Sequence, residues 1–336
     1  MRRLVMVLVV LVFGCGSEPL PQADAKPLTA SRDALVSIPG YLAGPYKPQV
    51  VDGLTLAAPE LANETIELRV WWPQDAQGAI PVVLFSHGNW SDRHKYDRLL
   101  EHWASHGYAV IAPTHLDGRS MARGIFNSLR FGQLGLIDAR AADLQFLMDN
   151  LGSIQAQLPQ GVALQVNKLV VAGHSFGAFT AQQFAGAIAS DEGAVSRAGD
   201  PRVVGVIALS PPGPMFDVIH ERSWLNMRGP VLVTTGTWDT NPQFWPDWRM
   251  HLMSHETAPG GQQFALVVEG ADHYLGNLIC RPEREEAPQR DALTMVNAAS
   301  VAFLNAYLRS DSAAAAFLQS ESLQDLTGGF ARLTAR

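Results

Sequence analysis

The chain has 336 residues, 47% of them hydrophobic and 17% charged, with a formal net charge of −7. That length holds one large domain or two smaller ones, and that apolar share suits a globular chain with a substantial core. Lys and Arg form no stripe against the acidic balance, which excludes a phosphate-binding surface and with it a nucleic-acid partner.

Residues 1–14 read as a signal peptide. Arg2-Arg3 supplies a positive start, and Leu4 to Phe13 is an unbroken apolar run too short to span a bilayer. The run ends at Val12-Phe13-Gly14-Cys15-Gly16, which resembles the lipobox of bacterial lipoproteins. The resemblance implies lipidation of Cys15 and an exported protein held at the membrane by its N-terminal lipid anchor alone. Gly16 after the cysteine points, by the same resemblance, to the outer membrane or the periplasmic face. The alternative is an ordinary secretory signal with an incidental cysteine. Cys280 is the only other cysteine, so a lipidated Cys15 leaves it without a partner, and a large core makes a disulfide dispensable.

Residues 15–50 are rich in Pro, Ala, Ser and Gly and read as a tether. Residues 64–71 then alternate polar and apolar, as a half-exposed antiparallel strand does. Solid apolar runs at 81–85, 108–112, 168–172, 203–209, 231–235 and 264–268 predict buried strands. Between them fall helices at 92–106, about 134–151 (Ile137, Ala141, Leu144 and Met148 at helical spacing), 178–185 and about 291–308. Strands alternating with helices predict a mostly parallel, doubly wound sheet with helices on both faces, in one domain over residues 51–310. Residues 311–336 are expected to be a peripheral segment. The Pro-rich stretch 211–228 interrupts the rhythm and is a candidate lid or pocket wall.

Gly173-His174-Ser175-Phe176-Gly177 carries a G-x-S-x-G pattern between a predicted strand and a predicted helix. A serine on such a turn is pushed out of the sheet with its hydroxyl exposed, making Ser175 a candidate nucleophile. A serine hydroxyl needs a base to take its proton and an acid to orient that base. In sheets of this kind both come from loops after strand C-termini. Asp239 follows the run 231–235, and His273 follows the run 264–268, giving the order Ser175, Asp239, His273. Asp217 is the second choice of acid and Asp272 the third. His251 and His255, four apart, have metal-ligand spacing on a helix, but no third ligand accompanies them and they are expected to be exposed. The oxyanion of acyl transfer requires preorganised N–H donors, expected from the backbone of Phe176 and of Asn89 in Ser86-His87-Gly88-Asn89-Trp90. His87 is expected to organise that loop rather than act as a base. Neither cofactor nor metal is required.

These residues resemble the α/β-hydrolase superfamily. Within it the chain is similar to bacterial dienelactone-hydrolase-like and platelet-activating-factor-acetylhydrolase-like esterases. The pieces that carry this are Leu68-Arg69-Val70-Trp71-Trp72-Pro73, Phe85-Ser86-His87-Gly88, Ala104-Ser105-His106-Gly107-Tyr108, Arg140-Ala141-Ala142-Asp143, the serine turn and Gly236-Thr237-Trp238-Asp239. The resemblance implies an α/β-hydrolase fold and a Ser175–His273–Asp239 triad that cleaves a small or lipid-like carboxylic ester. Dienelactone hydrolases proper use a cysteine nucleophile, so their substrate does not carry over. A serine peptidase, a lipase, a thioesterase and a non-catalytic lipid-anchored binding protein remain alternatives on the same fold.

Overall fold

The structure is a computed structural model that describes residues 24–190 and 199–336. The signal run and Cys15 lie outside the described residues.

A nine-stranded sheet runs in the order β1-β2-β4-β3-β5-β6-β7-β8-β9. Its strands are β1 (Pro48–Ala57), β2 (Thr65–Pro73), β3 (Ala79–Ser86), β4 (Ala109–Thr114), β5 (Ala163–His174), β6 (Val203–Leu209), β7 (Val231–Gly236), β8 (Gln263–Val268) and β9 (Ala331–Ala335). The six from β4 through β8 are parallel, while β1, β2 and β9 pair antiparallel at the two ends. The helices are α1 (Arg32–Val36), α2 (Asp97–Ser105), α3 (Met121–Asp149), α4 (Leu151–Gln155), α5 (Phe176–Gln183), α6 (Met253–Thr257), α7 (Arg290–Leu308), α8 (Ser312–Leu318) and α9 (Ser322–Leu326).

The solid apolar strands are explained by burial on both faces. Along β3, Val83 and Phe85 join a core with Leu99 and Trp103 of α2 and with Val301 and Phe303 of α7. Val82 and Leu84 face the other way, into a core with Ile137 and Leu144 of α3 and Phe179 of α5. The period of two thus divides one strand between two helical layers. This is the doubly wound sheet that the alternation of strands and helices predicts, and the α/β-hydrolase fold that the resemblance implies.

The ends of the chain differ from expectation. Residues 311–336 are not peripheral: β9 pairs with β8, and Phe330, Ala331 and Leu333 are buried against the α7 core. The pairing covers a sheet edge that is otherwise open to another strand. The tether also ends early. Ser31 caps α1 by accepting from the N–H of Ala34, Leu35 and Ile38 are buried, and β1 begins at Pro48. Helix α3 starts 13 residues before the predicted 134 because it is broken at Gly132 (φ 70°). Its first part turns Met121, Phe126 and Leu129 to solvent, so no inward apolar stripe marks it in the sequence. None of the helices among the described residues is long and apolar enough to cross a membrane.

Candidate active site

Ser175 stands between the last residue of β5 and the first of α5 with φ 55° and ψ −122°, a conformation side chains seldom adopt. Its own N–H donates to the carbonyl of Leu209 on β6 at 2.8 Å, which holds the turn to the sheet. The flanking glycines are required by close approach. A Cβ on Gly177 would overlap the carbonyl oxygens of Ser86 and His87, and one on Gly173 would overlap the carbonyl of Gly177. The tightness of the turn therefore brings the serine against the loop after β3.

The three residues picked out at strand ends meet here. His273 Nε2 lies 2.9 Å from Ser175 Oγ, and His273 Nδ1 lies 2.8 Å from Asp239 Oδ1. Thr235, at the end of β7, donates its hydroxyl to Asp239 Oδ2 at 3.0 Å. Asp239 is fully buried. Burial pushes its pKa up, but His251 and His273 more than offset this and hold the carboxyl well below its usual range. The indole of Trp245 stacks beside the His273 ring, with centroids 4.8 Å apart. The other acids stand elsewhere. Asp217 is exposed, and Asp272 spends Oδ1 on the N–H groups of Tyr274 and Gly276.

Phe176 is the first residue of α5, so its N–H has no acceptor within the helix. In the facing loop the N–H of Gly88 donates to Tyr96 Oη at 2.8 Å, and the carbonyl of Asn89 accepts from Arg281 at 2.9 Å. The N–H of Gly88 is therefore engaged, and Asn89 is anchored through its carbonyl oxygen.

Beneath this loop lies a fully buried polar network. Arg140 of α3 forms a two-point pair with Asp117, at 2.9 and 2.7 Å, and donates to the carbonyls of His87 and Gly88. His87 Nδ1 donates to the Gly88 carbonyl at 2.7 Å, and its Nε2 accepts from the N–H of His115. Burial, then the Arg140 guanidinium, pulls the His87 pKa down to about 4, so the ring is neutral. That is an organiser's place, as the sequence suggests. The same network contains Ser86 Oγ at 2.9 Å from His115 Nε2 and His115 Nδ1 at 2.8 Å from Asp143. These are the distances of a nucleophile–base–acid chain, but all three side chains are shielded from solvent. No substrate reaches them.

His251 and His255 correct the sequence reading: both are buried. His251 Nε2 lies 2.9 Å from Asp239 Oδ1. It escapes sequence reasoning because its place comes from packing of a 3-10 turn, Trp248–Leu252, against β7. The four-residue spacing to His255 carries no information about this place, since Asp239 lies twelve positions earlier in the chain. Asp239, His251 and His273 do present ligand atoms within 4.8 Å of one another. An ion among them would take the Asp239 oxygen on which His273 Nδ1 depends, so the set does not suit a metal together with a working base.

The sheet, the serine turn after β5 and the placing of Asp239 after β7 and His273 after β8 have the layout of the α/β-hydrolase fold. The comparisons agree. The family model described as Chlorophyllase matches residues 41–199, a stretch that includes Ser175 and stops short of Asp239 and His273. Among curated proteins, the chain is 26% identical to chlorophyllase-1, chloroplastic, of Citrus unshiu over 166 residues, 49% of this chain and 45% of that protein. The match thus spans under half of either chain. It supports the superfamily, not the dienelactone-hydrolase-like neighbourhood within it.

Proposed function

We propose that the protein is a carboxylic-ester hydrolase acting through an acyl-enzyme on Ser175. The observation that carries this is the unbroken path from Ser175 Oγ through the His273 ring to Asp239, at 2.9 and 2.8 Å, on a half-exposed serine. His273 Nε2 takes the hydroxyl proton as Oγ attacks the ester carbonyl, and Asp239 stabilises the imidazolium that forms. The N–H groups of Phe176 and Asn89 receive the oxyanion. His273 returns the proton to the departing alkoxide, then activates a water that hydrolyses the acyl-enzyme. The chlorophyllase likeness supports an ester over a peptide or thioester as substrate. Trp245, whose ring lies 4.8 Å from that of His273, is an aromatic side chain within reach of it. Within the superfamily, the motifs around Trp72, His106 and Trp238 favour the dienelactone-hydrolase-like and platelet-activating-factor-acetylhydrolase-like esterases.

The test is hydrolysis of p-nitrophenyl esters of graded acyl length, with amide and thioester analogues beside them. Ser175→Ala is expected to lose about three orders of magnitude or more. A variant that keeps the parent rate ends the proposal. Anchoring through a lipid on Cys15, and with it an exported membrane location, belongs to the same reading. It predicts incorporation of labelled palmitate that Cys15→Ser abolishes.

A further inference from the structure

Arg140 of α3 is fully buried, and each of its five N–H donors finds an acceptor. Nε and Nη2 meet the two oxygens of Asp117, on the loop after β4, at 2.9 and 2.7 Å. Nη2 also donates to the carbonyl of Gly88 at 3.2 Å. Nη1 donates to the carbonyl of His87 at 2.5 Å and to Ser86 Oγ at 3.4 Å. The guanidinium carbon stands 4.8 Å from the centroid of the Phe176 ring. One cation thus touches the end of β3, the loop that follows it, the loop after β4 and the first residue of α5.

The contact with Gly88 bears on Asn89. The carbonyl of Gly88 and the N–H of Asn89 belong to one peptide unit. That unit is trans, so the two groups point in opposite directions. Three donors hold the carbonyl: Arg140 Nη2 at 3.2 Å, His87 Nδ1 at 2.7 Å and the N–H of Ser91 at 3.2 Å. His87 can offer Nδ1–H because its Nε2 accepts from the N–H of His115. With the carbonyl tied into the buried network, the N–H of Asn89 leaves on the other side. Among the described residues it meets no acceptor there.

We propose that Arg140 is a positioning residue for the oxyanion of ester hydrolysis. It fixes the plane of the Gly88–Asn89 peptide, so that the Asn89 N–H stays aimed at the oxyanion, and it braces Phe176, the source of the second donor. The inference rests on the esterase reading, because it names what holds the donors that the reading uses. Asp117 takes two of the guanidinium's N–H groups in a fork and keeps the plane of Arg140 itself from turning. Lysine could not do the same work. Its three donors sit on one flexible point charge and cannot serve a carboxylate, two carbonyls and a hydroxyl together.

Two measurements decide it. The first is steady-state hydrolysis of a p-nitrophenyl ester by Arg140→Lys, with a urea melt beside it. The charge stays and the fork goes. We expect kcat to fall by about tenfold to a hundredfold while KM moves by less than about threefold, because the donors act on the oxyanion rather than on the bound ester. A merely structural arginine would lower the melt and leave kcat of the folded protein intact, and that result overturns the proposal. The second uses the parent full chain, so no variant has to fold. It is a crystal structure after Ser175 has reacted with a p-nitrophenyl phosphonate, whose phosphoryl oxygen stands in for the oxyanion. That oxygen is expected within hydrogen-bond distance of the N–H groups of Asn89 and Phe176, with the Gly88 carbonyl still on Arg140. An oxygen out of reach of Asn89, or a Gly88 carbonyl turned away from Arg140, overturns this inference and leaves the esterase reading standing. A Ser175 inert to the probe overturns both.

Discussion

His174 Nε2 donates to the backbone carbonyl of His273 at 2.8 Å, and its Nδ1 accepts from Tyr96 Oη at 3.1 Å. Since Tyr96 also accepts from the N–H of Gly88, one ring beside Ser175 links the loop that carries His273 to the loop that carries Asn89. Burial, then the neighbouring His273, holds the pKa of His174 well below its usual value, so the ring stays neutral and keeps one donor and one acceptor. His174→Phe fills the space and breaks both links. We expect kcat to fall by about tenfold to a hundredfold as the base and the oxyanion donors lose register, with a stability loss of about 1–3 kcal/mol. Steady-state kinetics beside a urea melt separate the two effects, and unchanged kcat in a folded variant would rule out the link.

Gly177→Ala tests the closeness of turn and loop. The new methyl meets the Ser86 and His87 carbonyls, which are backbone and cannot swing aside. The expected cost is about 1–3 kcal/mol of stability, together with a larger loss of esterase activity, because the displaced segment carries Asn89. A variant with parent kcat would show that the loop moves freely relative to the serine.

Among the described residues, two hydroxyls sit at 2.9 Å from an imidazole that is itself 2.8 Å from a carboxylate. Only one chain reaches solvent. A fluorophosphonate probe is therefore expected to label Ser175 and leave Ser86 untouched, and Ser175→Ala should abolish labelling entirely. Ser86→Ala should still label, while losing about 1–3 kcal/mol because His115 Nε2 is left unpaired. Adduct on Ser86, read by peptide mass spectrometry, would mean that the network opens.

How far the sequence foretells this site follows from how local each signal is. The serine turn and the strand-end positions of Asp239 and His273 are legible because short motifs and apolar runs encode them directly. The parallel strands are legible because they are buried on both faces. Strands β1 and β9 carry no such run: they are edge strands, and β9 shows only Ala331 and Leu333 inward. His251 and the Ser86–His115–Asp143 network were not legible because their partners come from different elements, joined only by packing. Depth of burial, which separates the solvent-reaching chain from its shielded counterpart, has no motif at all.

Stability should depend on pH through histidines held neutral. Burial pulls His87, His102 and His255 each down to about 4. In the unfolded chain they take up protons near pH 6.5. Between about pH 6.5 and pH 4 the unfolded state thus binds more protons than the native one, and stability falls as pH falls. Above that window their contribution is fully present. His251 runs the other way: its raised pKa adds stability that is present below about 6.5 and is lost as pH rises through the folded value. His106, His115 and His174 are lowered as well, so six imidazoles against one make acid the destabilising direction. His102 is the cleanest probe, since its Nε2 bonds only the Gly40 carbonyl, away from the serine. His102→Gln retains a donor for that carbonyl and cannot titrate. The slope of unfolding free energy against pH, measured by urea melts across the window, should fall by about one proton's share. An unchanged slope would mean that His102 is already protonated in the native state.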